Sequence, residues 1–305
     1  MKVFYPSYYK KFKCIADRCC HSCCVGWEIC VDNDTLKKYS RIEGDLCSHI
    51  DPHTGIIKLC DNGRCPFLLE NGLCRIISDF GEEYISQICR EHPRFYHRIK
   101  SAVECGIGMS CEEAARVILS SDGYDDFFFA ESEEAEWADE SDFDTIVHRE
   151  KIYRILAQRE LSLDKRFEKI RKEYLLTESI HTANEWNEIL SNLEYLDIGH
   201  KDVLKLGRQD DRADIEIYLE RFFAYLVFRH LSIATGYDNL RARLEFCFLL
   251  VSVLKNNVAT IDNDISSISD IARIISEEIE YSSDNTDELI FEIESVVPAI
   301  SILTG

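Results

Sequence analysis

The sequence is short of the residues that break helices: 5 Pro and 13 Gly in 305 residues, where roughly 7% Gly is usual. Collagen-like and low-complexity structure are thereby excluded, and a globular, mainly α protein is expected. Long hydrophobic runs are missing too. The most apolar stretch, Phe246 to Leu254, falls well short of the roughly 18 residues that span a bilayer. The opening MKVFYPSYYKKFK has neither the apolar segment nor the small-residue cleavage site of a secretory signal. No transmembrane segment and a cytoplasmic location are therefore expected. Positive charge is also scarce. The 35 Lys and Arg face 56 Asp and Glu, a net charge of −21, which argues against nucleic acid as a partner.

What the chain has in excess is cysteine. Of its 14, all but Cys247 lie between Cys14 and Cys111. Charge divides at the same place: residues 1–111 carry 15 Lys and Arg against 14 Asp and Glu, so the acidity belongs to the remainder. These shifts predict a cysteine-rich metal-cluster domain over 1–120, an acidic aromatic linker over 121–147 and a helical domain over 148–305. The architecture expected is an irregular cysteine-rich metal-binding N-terminal region packed on a C-terminal helical bundle. In a reducing compartment, dense cysteine points to metal rather than disulfides.

The first region offers turn formers in place of periodicity. Asn71-Gly72, between Cys65 and Cys74, predicts a small hairpin. From Cys111, C-E-E-A-A-R-V-I-L spaces Ala114, Ala115, Ile118 and Leu119 as one face of a closing helix. The linker carries 11 acidic residues and no Lys or Arg between Asp122 and Asp144, yet also Tyr124, Phe127, Phe128, Phe129, Trp137 and Phe143. Solvated acid with tucked aromatics is one reading, a dock for a basic segment the other. Beyond it, three helical stripes stand out: Ile215, Leu219, Phe222, Phe223 and Leu226; Ile265, Ile268, Ala272, Ile275 and Ile279; and Leu289, Ile290, Ile293, Val296 and Val297. They are core faces.

The densest cysteine segment, F-K-C-I-A-D-R-C-C-H-S-C-C-V-G-W-E-I-C, spaces Cys19 and Cys23 as C-x3-C and Cys20 and Cys23 as C-x2-C. One turn of backbone then aims two thiolates at a shared ion or cluster. The remaining ligands must come from Cys60, Cys65, Cys74, Cys89, Cys105 and Cys111. Tetrahedral thiolate sets accept zinc and iron–sulfur alike. The order matches no ferredoxin run, and Gly26 stands where a radical S-adenosylmethionine enzyme would need its third cysteine. Cys247, inside L-E-F-C-F-L-L, reads as a buried core residue. His21, His49, His53, His92 and His97 are candidates for a mixed site. Arg90, Arg94 and Arg98 recur at four-residue spacing but Pro93 interrupts their helix. Gly106-Ile107-Gly108 lacks the strand-to-helix context of a nucleotide turn.

Four motifs in order carry a resemblance: P-S-Y-Y-K-K-F-K-C-x4-C-x3-C-C-x-G-W-x-I from Pro6, C-P-F-L-x4-L-C-R-I from Cys65, C-R-E-H-P-R from Cys89 and S-C-E-E-A-A-R-V-I-L from Ser110. Together, over about residues 4–120, they resemble the flagellin lysine-N-methylase family. The resemblance implies a cytoplasmic enzyme that methylates surface lysines of flagellin, with S-adenosylmethionine as methyl donor and a 4Fe-4S cluster required for activity. The metal ligands it carries over are Cys14, Cys19, Cys23, Cys24, Cys65, Cys74, Cys89 and Cys111, with Cys19, Cys23, Cys74 and Cys89 the first expected foursome. Eight candidates exceed one cluster's four, so some are structural or a second site exists. It assigns no catalytic residue and no S-adenosylmethionine site. Zinc is the alternative metal, and a non-catalytic zinc- or iron-binding module with a helical interaction domain the alternative function. A redox carrier is a third reading.

Overall fold

A computed structural model describes residues 2–99, 102–131, 143–176, 181–207, 213–258 and 264–296. Among them are eleven α-helices and one four-stranded sheet, so the mainly α class holds. Two compact units are formed. One uses the chain up to residue 12, residues 96–110 and residues from 114 onward; the other uses Lys13–Phe95 and Cys111–Glu113.

In the first unit, β1 (Lys2–Pro6), β2 (Arg94–Ile99), β3 (Ala102–Ile107) and β4 (Phe127–Glu131) pair in the order β2-β3-β1-β4. β1 runs parallel to β3, with Val3 opposite Val103, and antiparallel to β4, with Phe4 opposite Phe129. Residues expected to be loops and linker are strands for a physical reason. Tyr5 stacks on Phe128 at 5.0 Å and Lys10 lies 3.8 Å over the same ring, so the aromatic run zips onto β1 rather than tucking singly onto a core.

Helices supply the rest. In the second unit lie α1 (Asn33–Tyr39), α2 (Arg75–Phe80) and α3 (Gln87–Glu91). Then follow α4 (Glu112–Ser120), α5 (Thr145–Leu156), α6 (Leu163–Glu173), α7 (Ala183–Asn192), α8 (Glu216–Leu231), α9 (Tyr237–Val258), α10 (Ile265–Ile275) and α11 (Ser283–Val296). α4 is the helix expected at C-E-E-A-A-R, and Ala114, Ala115, Ile118 and Leu119 are buried. The stripes of α8 and α10 are buried as expected, with Ile265 half-buried. Leu289, Ile290 and Ile293 of α11 are buried, whereas Val296 is exposed and Val297 lies outside the described residues. Buried charges meet a partner at Arg149 with Glu104 and at Arg166 with Glu220, and His230 lies 2.7 Å from buried Glu280.

The second unit has its own small core of Val31, Tyr39, Leu46, Ile50, Ile57, Phe67 and Ile76, against which Cys65 and Cys74 pack. The hairpin is present in minimal form. Leu68 bridges Cys74, and the turn closes through Leu69 N–H to Leu73 C=O at 2.9 Å. Gly72 is required there. Its φ is +80°, and a Cβ would stand 3.2 Å from Asp17 Cα.

Candidate metal centre

Four thiols are brought together from three parts of the second unit. Gly26 N–H donates to Gly63 C=O at 2.9 Å and Cys65 N–H to Cys24 C=O at 2.8 Å, which sets Cys24 beside the hairpin. The hairpin ends in Cys74, the residue that precedes the first turn of α2. Cys89 is delivered by α3, which docks because Gln87 N–H donates to Asp32 Oδ2 at 2.8 Å while Asp32 caps α1 through Thr35. The four sulfurs sense one another: Cys24, Cys74 and Cys89 raise the Cys65 thiol, and Cys24 and Cys74 raise Cys89. Burial is the larger cause in each case and pushes Cys65 up to about 12. The buried Tyr39 phenol, also raised mainly by burial, feels Cys89, Cys74 and Cys65 from the α1 side.

A second group forms around the first cysteine loop. Burial, then Cys111, Glu112 and Cys14, push Cys19 up to about 12, and Cys23 also feels Cys111 and Cys14. The loop is held by one carboxylate. Glu112 accepts the backbone N–H groups of Cys20 at 2.8 Å and His21 at 2.9 Å, with His21 Nδ1 3.5 Å away. The two groups abut at one thiol pair. Hydrogen bonding between Cys23 and Cys24 holds Cys24 low, helped by Ser22 and Arg64, and leaves the proton on Cys23.

Of the first expected foursome, Cys19 and Cys23 feel Cys14 and Cys111, Cys74 and Cys89 feel Cys24, and the Cys23–Cys24 hydrogen bond links the two pairs. Cys30, Cys47 and Cys60 are exposed. Cys105 was counted among possible ligands, but it is fully buried in β3 with Val3 and Val103. Cys247 is buried in α9 as expected. Of the histidines, His49 faces Asp45 at 3.1 Å, His92 stands 6.3 Å from the Trp27 ring, and burial pushes the His97 imidazole of β2 down to about 3. α3 ends before Pro93, as the sequence requires. Gly108 has a packing reason: a Cβ would meet Tyr281 Oη at 2.1 Å and Arg229 at 2.6 Å.

Among the described residues, one group of three metal-ligating side chains already has its ligand atoms within 4.8 Å of one another: His200, Glu277 and Glu278. Its donors are committed elsewhere. Glu278 accepts from Leu196 N–H at 2.7 Å, Asp197 N–H at 3.1 Å and His200 Nδ1 at 2.6 Å, while Glu277 pairs with Arg273. No three cysteine sulfurs of the described residues lie this close to one another.

The first unit also contains a cleft of about 560 Å³ lined by Phe4, Glu104, Asp125, Phe127, Glu150 and Tyr153, among others. Asp125 and Phe127 come from the acidic aromatic segment. Glu133, Glu134, Glu136 and Trp137 of that segment lie outside the described residues. Glu104 is neutralised by Arg149 and accepts from Ser232 Oγ at 2.6 Å, and Tyr153 donates to Ala224 C=O at 2.9 Å.

An alignment of 127 positions, covering 38% of this chain and 75% of its partner, shows 33% identity to the flagellar biosynthetic protein FliU of Salmonella muenchen. The chain belongs to the lysine-N-methylase family. Relatives named lysine-N-methylase, from Salmonella typhimurium (strain LT2) and Salmonella choleraesuis (strain SC-B67), match at 33% identity over the same length. The match spans 32% of each of those methylases. No family model and no solved structure matches this member of the lysine-N-methylase family.

Proposed function

We propose that this protein is a lysine methyltransferase of the cytoplasm, which transfers methyl groups from S-adenosylmethionine to lysines of flagellin and depends on a 4Fe-4S cluster held by its N-terminal thiolates. Membership of the lysine-N-methylase family, through a match that covers three quarters of FliU, carries this reading. The flagellar name of FliU supports a flagellar substrate. No helix among the described residues is long and apolar enough to cross a membrane.

The donor set suits the cluster. Thiols converge from separate segments, and the positive charge of a bound metal would offset both the burial and the thiolate repulsion that raise them. When bound, the cluster supplies a Lewis-acidic or electron-transferring iron centre. The cleft of the first unit is lined by both signs of charge, Arg149 and Arg154 beside Glu104, Asp125 and Glu150. Glu150 pairs with Arg154 at 3.0 Å and Arg149 lies 5.0 Å over the Phe127 ring, so Asp125 and the Phe4 and Tyr153 rings are the groups there that an ammonium would meet as it leaves water. Desolvation lowers a lysine's pKa and frees its lone pair for methyl transfer.

The deciding experiment incubates the full chain, purified without oxygen, with S-adenosylmethionine and flagellin, and maps methylated lysines by mass spectrometry. Methyl groups on flagellin lysines, lost with the cluster's iron, uphold the proposal. Metal-loaded protein that leaves flagellin unmodified overturns it in favour of a non-catalytic metal module.

A further inference from the structure

We propose that the outer edge of β4 takes an extended, lysine-bearing segment of the substrate protein as a fifth strand, beside the cleft of the first unit. The inference deepens the lysine-transfer reading above and rests on it for the lysine in the segment.

Sheet topology carries it first. Among the described residues the strand order is β2-β3-β1-β4, so β4 has a strand neighbour on one side only. Its pairing with β1 is regular, residue for residue from Lys2 with Glu131 to Pro6 with Phe127, and has no bulge. Natural sheets blunt an exposed edge with lysine, proline or a bulge. β4 reads F-F-F-A-E and uses none of these, whereas the opposite edge strand, β2, carries Arg94, His97 and Arg98. Phe129 is 61% exposed. An aromatic ring left in water on an unguarded edge marks a surface that a partner covers.

The face it presents is the second observation. Side chains alternate across a strand, so Phe127 and Phe129 share one face of β4. Phe4, opposite Phe129, and Glu104, opposite Phe4, continue that face across β1 and β3. The cleft lies on it, lined by Phe127, Phe4 and Glu104 with Arg149 of α5. A strand added to β4 sends every second side chain to this face, next to Phe127. Backbone pairing then supplies affinity while the cleft reads alternate side chains.

Charge selects the occupant. β4 lies within the stretch from Asp122 to Asp144, which has 11 acidic residues and no Lys or Arg. Asp125 and Asp126 lead into the strand and are exposed, and Asp125 also lines the cleft. A lysine-bearing segment is drawn to this field and an acidic one is repelled.

The test follows hydrogen exchange of the β4 amides in the full chain by mass spectrometry. The probes are a synthetic peptide alternating threonine and lysine and its counterpart with glutamate for lysine. The lysine peptide should slow exchange across Phe127–Glu131 about tenfold and the glutamate peptide should not. Phe129→Lys should weaken binding of the lysine peptide about tenfold, whereas Phe291→Lys, at an exposed position of α11, should leave it unchanged. If Phe129→Lys does not fold, exchange in the unaltered protein still decides. Unslowed β4 amides, equal slowing by both peptides, or slowing that grows with protein concentration alone, as pairing between two copies would give, would overturn the inference. A protein that methylates flagellin while its β4 amides exchange freely would lose this inference alone; strand pairing in a protein that leaves flagellin unmodified would remove only the flagellin reading.

Discussion

The backbone N–H of Cys65 donates to the carbonyl of Cys24 at 2.8 Å, so the first cysteine segment and the C-P-F-L motif are joined through their main chains before any metal arrives. Side-chain sulfurs on such a splice inherit fixed positions, which lowers the ordering cost of a site whose ligands are distant in sequence. Cys23 has no equivalent splice in the structure described. Its loop is placed by a carboxylate on another segment, Glu112.

Glu112→Ala should loosen the first cysteine loop. The carboxylate holds two backbone amides at 2.8 and 2.9 Å, and charge-assisted bonds of this kind contribute about 1.5–3 kcal/mol. Alkylation of the thiols in metal-free protein should accelerate about tenfold at Cys19 and Cys23, read by mass spectrometry, while far-ultraviolet circular dichroism stays unchanged. An unchanged alkylation rate would show that Glu112 does not hold the loop.

Glu220→Gln should cost roughly 3 kcal/mol or more in urea unfolding. Glu220 is buried and pairs with buried Arg166, and Arg159 donates to it at 2.7 Å. Neutralising the acid leaves the buried Arg166 charge with the Leu156 carbonyl at 2.6 Å and the more distant Glu216 at 3.8 Å. A midpoint within error of the unaltered protein would mean that water reaches this pair.

How far the sequence foretold these sites depends on the range of the interaction involved. α4, α8 and α10 were legible because helical period is local, and the Asn71-Gly72 turn because its left-handed backbone favours glycine. The sheet was not. β1 meets β3 and β4 across about a hundred residues, and five-residue strands leave too little alternation to announce themselves. The same blindness misplaced Cys105, whose burial depends on Val3. Thiol spacing showed that metal was expected but not which thiols meet. Their backbone placement depends on Glu112, Asp32 and the Cys24–Cys65 hydrogen bond, long-range contacts that spacing does not reveal.

Glu150→Lys tests the cation reading of the cleft. Glu150 lines it beside Asp125, Phe127 and Tyr153 and pairs there with Arg154 at 3.0 Å, a second cation that the reversal releases. Reversing its charge should lower kcat/KM for flagellin about tenfold, mainly through KM, equivalent to roughly 1.4 kcal/mol. The deficit should shrink in high salt, as screening predicts. A salt-independent loss confined to kcat would point instead to altered packing around Arg149.

The last prediction concerns pH. Hydrogen bonding to Glu278 raises the His200 pKa above the usual 6.5, against the opposing effect of burial. The folded state therefore holds its proton more tightly than the unfolded chain, and the stabilisation is complete below about pH 6.5. It declines as pH rises through the higher folded value. Leu196 and Asp197 N–H continue to satisfy Glu278 after the proton leaves, so the loss is that of the ion pair and not of the whole junction. Thermal unfolding of the unaltered protein should thus fall between pH 6.5 and 8.5 more steeply than that of His200→Gln, which cannot titrate. Equal slopes would show that the His200–Glu278 contact holds no extra proton.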